Sequence, residues 1–117
     1  FSIHTERPPH RFDGIAPELI GTGNHANSAS DIYALGCLLW QLLAGRPPFP
    51  TNDPLAKLAC HQTREVADVR EWAPDTPAPL AEAIKSFTQK KPTHRPLTFR
   101  EIRQKINNFL LSQFSQI

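Results

Sequence analysis

The sequence predicts a mainly α-helical domain with a central buried helix and long loops. Residues 31–44 form one long, nearly unbroken apolar run that stops at Gly45. Three shorter segments follow with apolar residues at helical spacing, each near Pro, Asp or Thr, which suit a helix start. No stretch alternates apolar and polar residues over the length of a half-buried strand.

The elements follow in chain order. Residues 1–15 lack periodicity and contain Pro8-Pro9, so they read as a loop. Ala16-Pro17-Glu18-Leu19-Ile20 is expected to make one helical turn, with Pro17 near its start. Gly21 to Ala29 is small and polar, a second loop. Ser30 is the expected N-cap of a helix over Asp31 to Ala44. Its apolar residues surround almost the whole circumference, which marks the central helix of a domain. Gly45 suits the residue just past its end, and Arg46-Pro47-Pro48-Phe49-Pro50 cannot continue it. Asp53 is expected to cap a helix starting at Pro54, with Leu55, Leu58 and Ala59 on its apolar face. Leu80, Ile84 and Phe87 define a helix between about Pro79 and Gln89. Thr98, with Glu101 three residues on, forms a capping-box pattern for the last helix. The apolar face of that helix is Phe99, Ile102, Ile106, Phe109 and Leu110.

With 117 residues the chain has room for one core. Its 13 Lys and Arg against 11 Asp and Glu give no electrostatic footprint for nucleic acid or an anionic membrane. No apolar run reaches the ~18 residues of a membrane span, and no signal-peptide pattern opens the sequence. A cytoplasmic protein is expected. Met is absent and Phe1 comes first, so the chain reads as cut from something larger. Cys37 and Cys60 lack metal spacing and are expected as reduced thiols, Cys37 in the core. His4, His10, His25, His61 and His94 are scattered, with no pair at i, i+4, so no metal site is expected.

Four blocks stand in a telling order: Ala16-Pro17-Glu18, Ser30-Asp31-Ile32-Tyr33-Ala34-Leu35-Gly36, Gly45-Arg46-Pro47-Pro48-Phe49 and His94-Arg95-Pro96. Together they resemble the C-terminal lobe of serine/threonine protein kinases, in a style close to bacterial ones. The resemblance covers nearly the whole chain. It implies equivalents of kinase helices F to I, with residues 1–15 as an activation-segment-like loop and 16–117 as a partial C-lobe.

The resemblance also implies roles. Glu18 is similar to the glutamate of the Ala-Pro-Glu motif, and Arg95 to the arginine that pairs with it. A planar guanidinium can hold a carboxylate through two hydrogen bonds. The plain alternative is two unrelated surface charges. Asp31 resembles the aspartate opening helix F, which in the family holds the catalytic loop; that loop is not in this sequence, so Asp31 is expected to serve in capping alone. Phe12, Asp13, Gly14 and Ile15 would face the substrate residue after the phosphoacceptor. Thr5, near Arg7 and Arg11, is a candidate phosphosite, against the plain reading of a solvated loop threonine.

Phosphoryl transfer needs parts that position ATP and neutralise its charge. The Gly-rich loop, the strand lysine, the helix-C glutamate, the His-Arg-Asp loop and its metal-binding asparagine do not occur in this sequence. Phe1-Ser2 is compatible with the tail of a degenerate Asp-Phe-Gly motif. Arg11 stands where the family has a threonine, Gly14 where it has a packing tyrosine, and Lys91 where Asp commonly precedes Pro92. The implied protein is a kinase-like fragment with no catalytic residue and no cofactor of its own. ATP and magnesium would bind upstream in an active parent, and the partner would be a protein substrate or a scaffold. A pseudokinase or a kinase-derived interaction module is the alternative. The parts that wrap helix F in the family are missing too. Ile32, Leu35, Leu39, Trp40 and Leu43 are therefore expected to lose their cover and to drive self-association.

Overall fold

The computed structural model describes residues 12–96 and 98–114. Among the described residues, four α-helices carry the fold: α1 (Ser28–Ala44), α2 (Pro54–Thr63), α3 (Ala78–Phe87) and α4 (Phe99–Phe114). Short 3-10 turns at Pro17–Leu19, Val69–Glu71 and Pro92–His94 join them. No strand occurs among the described residues.

Helix α1 starts earlier than its sequence predicts. Asn27, not Ser30, is the N-cap. The Asn27 side chain accepts from the Ser30 N–H at 3.0 Å, and the Ser30 hydroxyl oxygen accepts from the Asn27 N–H at 2.8 Å. Asn and Ser are equally good caps, and this reciprocal pair decides between them. Asp31 is consequently inside the first turn, exposed, and not the cap. It still favours the positive end of the helix dipole. At the other end Gly45 adopts φ +78°, and its N–H reaches the Gln41 carbonyl at 2.9 Å.

The apolar circumference of α1 is only half covered. Ile32, Tyr33, Gly36, Cys37 and Trp40 are buried, a single face at helical spacing. Trp40 packs with Val69, Ala81 and Ile84, and Ile32 with Phe87 and Ile102. These neighbours correct the expectation that Ile32 and Trp40 lose their cover. Leu39 is half-buried. Leu35, Leu38, Leu42 and Leu43 form the open face instead.

The core depends on α3 lying close to α1. A Cβ at Gly36 would stand 2.7 Å from both Phe87 Cβ and Thr88 Cγ2, so the backbone of α1 and the end of α3 meet where no side chain fits. The Trp40 indole N–H donates to the Ala67 carbonyl at 2.8 Å and fixes the loop after α2.

Helix α2 is capped by Asp53, whose carboxylate accepts from the Leu55 N–H at 3.1 Å. Its buried face is not the expected one. Leu55 is 76% exposed, whereas Lys57 and His61 are buried. The polar face turns inward because Asp13 and Tyr33 offer it partners there. In α4, Thr98 Oγ1 accepts from the Glu101 N–H at 3.2 Å, and Ile102 is buried against α3. Ile106 and Leu110, expected on the apolar face, are exposed.

Candidate functional site

Arg95 follows the Pro92–His94 turn in extended backbone, which sends its side chain into the body of the protein. The side chain is fully buried. Its two terminal nitrogens donate to the two oxygens of Glu18 at 2.8 and 2.9 Å, a fork meeting a fork across 77 positions of sequence. The remaining donors reach the carbonyls of Gln89 (2.8 Å), Ala29 (2.9 Å) and Lys90 (3.1 Å). A guanidinium has five N–H groups, and all five are used. Burial works against the charge of Glu18, but the Arg95 hydrogen bonds, a backbone hydrogen bond and the Arg95 charge together outweigh it and hold its pKa below the ordinary carboxylate value.

The Tyr33 ring lies beneath this guanidinium, 4.8 Å from its carbon. Tyr33 Oη is 2.8 Å from His61 Nδ1 and also accepts from Lys90 Nζ at 3.5 Å. The imidazole tautomer sets which of Tyr33 and His61 donates in this bond, since a phenol oxygen can both donate and accept. The other ring nitrogen, His61 Nε2, is buried with no hydrogen-bond partner among the described residues. Burial pushes the His61 pKa down to about 4, and the nearby Lys90 charge adds to the shift. Burial likewise raises the Tyr33 phenol and pushes the Cys37 thiol up to about 12, so Cys37 is a thiol and not a nucleophile.

One turn before His61, Lys57 Nζ donates to Asp13 Oδ1. This ion pair ties the segment of Phe12, Asp13, Gly14 and Ile15 to α2. Asp13, Gly14 and Ile15 then form one wall of a cleft of about 440 Å³, with Ala34, Cys37, Leu38 and Gln41 of α1 opposite. Gly14 lies close on α1, where a Cβ would stand 3.4 Å from Ala34 Cα.

The structure thus gathers Glu18, Arg95, Tyr33, His61, Lys90, Lys57 and Asp13 around the inner end of α1. Asp31 does not join them. Thr5 and the Phe1-Ser2 pair lie outside the described residues. No group of metal-ligating side chains occurs among the described residues, and neither cysteine is in a disulfide. Sequence reasoning missed Tyr33, Lys57, His61 and Lys90. Their trace in the sequence is the i, i+4 spacing of Lys57 and His61 on one face of a capped helix.

Residues 13–106 match the family model for the protein kinase domain. The chain belongs to the protein kinase family. Its kinase relatives include the serine/threonine-protein kinase PrkC of Bacillus subtilis (strain 168), 37% identical over 73 residues, covering 62% of this chain and 11% of that protein. The serine/threonine-protein kinase PknB of Mycolicibacterium smegmatis is 37% identical over 83 residues, covering 69% of this chain and 13% of that protein. The serine/threonine-protein kinase PLK2 of Mus musculus is 34% identical over 83 residues, covering 70% of this chain and 11% of that protein. The chain therefore spans about a tenth of the length of these kinases. The kinase match begins at Asp13 and ends within α4, so it takes in every residue of the buried cluster.

The fork between Glu18 and Arg95 predicts strong coupling. Glu18→Ala is expected to cost roughly 3–5 kcal/mol, because it strands the fully buried Arg95 charge. Arg95→Ala is also expected to destabilise, chiefly because it leaves the Gln89, Ala29 and Lys90 carbonyls without their donor, Glu18 itself being partly exposed. The double variant is expected to lose much less than the sum. Denaturant melts of the four proteins measure this, and additive losses would contradict a direct bond.

His61 predicts a pH dependence. Its folded pKa of about 4 lies below the ordinary 6.5, so protons bind the unfolded chain first as pH falls. Stability is then lost on acidification from about 6.5 towards 4, by about 2 kcal/mol between pH 7 and pH 5. Asp13, Lys57, Lys90 and Tyr33 face the ring, and of the charged groups only Asp13 opposes the effect. His61→Gln is expected to flatten this part of the curve. An unchanged slope would show that His61 takes up its proton freely in the folded state.

Proposed function

We propose that the chain is a C-lobe piece of a serine/threonine protein kinase or kinase-like protein, whose longer parent transfers the γ-phosphate of ATP to protein hydroxyls. The observation that supports it most is the saturated Arg95–Glu18 bond within a chain of the kinase family. On this reading the bond locks the Ala16-Pro17-Glu18 turn onto the helical body. The Lys57–Asp13 pair does the same for the segment just before it. Phe12, Asp13, Gly14 and Ile15 thereby form a fixed shelf for a protein substrate. ATP and magnesium bind to parts of the parent outside this sequence, in the cytoplasm. Among the described residues no helix is long and apolar enough to cross a membrane.

The expected result for the chain alone is no phosphate transfer. The purified chain and its full-length parent are incubated side by side with magnesium, labelled ATP and a generic protein substrate. Transfer by the parent and none by the chain supports the proposal. Transfer by the chain itself, surviving repurification, would sink it.

Arg11, Gly14 and Lys91 depart from the kinase pattern, and they favour a second reading as a pseudokinase or scaffold module. In that case the parent binds its protein partner without transferring phosphate in the same assay.

The open face of α1 fits either reading as a contact surface. We propose that the chain alone pairs with itself through Leu35, Leu38, Leu42 and Leu43, which stand exposed together. Sedimentation at micromolar concentration is expected to show a dimer or larger species. Leu38→Glu with Leu42→Glu is expected to return it to monomer. A clean monomer before any substitution would refute the pairing.

A further inference from the structure

A second cleft, of about 380 Å³, lies between the loop after α1 and the end of α2, next to the buried cluster, since its Phe49 packs edge-on against His61. Arg46 and Arg64 line it together with Pro48, Phe49, Cys60 and Glu65. Arg46 is held in place by stacking, its guanidinium carbon 5.0 Å from the centre of the Trp72 ring. Trp72 packs in turn on Trp40, with ring centres 5.1 Å apart. The cation therefore sits on a rigid aromatic support and loses little freedom on binding.

Neither guanidinium at this cleft makes a hydrogen bond or ion pair among the described residues, and Glu65 pairs with neither. The contrast with Arg70 and Arg95 is plain, since each of those holds a carboxylate. The Arg46 Nε is also buried without a hydrogen-bond partner among the described residues. A buried N–H donor without an acceptor is costly, and native structures rarely leave one so. The cleft thus offers two unpaired guanidinium groups and a buried donor beside an apolar wall of Pro48 and Phe49. Its volume lies in the range of ordinary ligand sites.

We propose that this cleft binds an acidic peptide segment of a partner protein. Arg46 and Arg64 receive an anionic side chain, and Pro48 and Phe49 receive an apolar residue next to it. A nucleic acid is a poorer fit, because two arginines do not make the basic stripe that tracks a phosphate backbone, and the chain carries a net charge of only +2. The inference stands apart from the kinase reading, since peptide binding here needs no phosphate transfer.

The test uses the full chain and calorimetric titration, with Trp72 fluorescence as a second signal. The probes are a capped peptide with two glutamates flanking a Pro-Leu pair, its glutamine analogue, its phosphoserine analogue, inorganic phosphate and a short DNA oligonucleotide. The glutamate or the phosphoserine peptide is expected to bind, and whichever binds tighter identifies the anion. The glutamine analogue is expected to be at least about tenfold weaker. Arg46→Gln and Arg64→Gln are each expected to weaken binding by about tenfold. Arg64 is exposed, so Arg64→Gln keeps the test valid if Arg46→Gln fails to fold. No peptide binding at about 1 mM, a weak affinity on the usual scale, overturns the proposal. So does equal binding of the glutamine analogue, indifference to Arg64→Gln, or tighter binding of phosphate alone or the oligonucleotide.

Discussion

The Arg95 guanidinium is the constraint around which the described structure is arranged. Its five N–H groups reach a carboxylate and three backbone carbonyls, drawn from the first turn, the start of α1 and the loop after α3. A fully buried cation survives only when its charge is matched and its donors are all satisfied. Both conditions hold here. Lysine could match the charge but has three donors and no planar fork, so it could not close the same set of bonds.

The polar groups next to Arg95 keep fixed protonation states mainly through burial. Burial, with the Lys90 and Lys57 charges adding to it, holds His61 neutral. Burial keeps the Cys37 thiol and the Tyr33 phenol protonated, against the pull of the Arg95 charge. Lys90 itself is pushed down by burial, with Glu65 working the other way. The cluster behaves as a structural brace of fixed protonation and not as an acid–base machine.

Much of the fold was legible in the sequence because local chemistry decides it. Gly45 ended α1, Asp53 capped α2, and Leu80, Ile84 and Phe87 drew α3. These signals act within a few residues. The errors arose where distant partners decide. Asn27 beats Ser30 as a cap through a reciprocal bond that composition does not reveal. The polar face of α2 turns inward because Asp13 and Tyr33 lie there, 44 and 28 positions away. The expectation of an apolar face at Leu55 follows periodicity and fails for that reason. Glu18 and Arg95 could be paired from the sequence only through the family resemblance, since no spacing rule links residues so far apart.

Gly36 gives this arrangement a length scale. The bare backbone at that position lets the last turn of α3 lie against α1. Gln89 and Lys90, whose carbonyls accept from Arg95, come one and two residues after Thr88. A methyl group at position 36 would lever the end of α3 outward and carry both acceptors with it. Hydrogen bonds weaken steeply with distance and angle, so a shift of a few tenths of an ångström there is felt at the guanidinium. A missing side chain in the apolar core thus sets the reach of the ion pair, and steric fit and charge pairing in this domain are a single requirement.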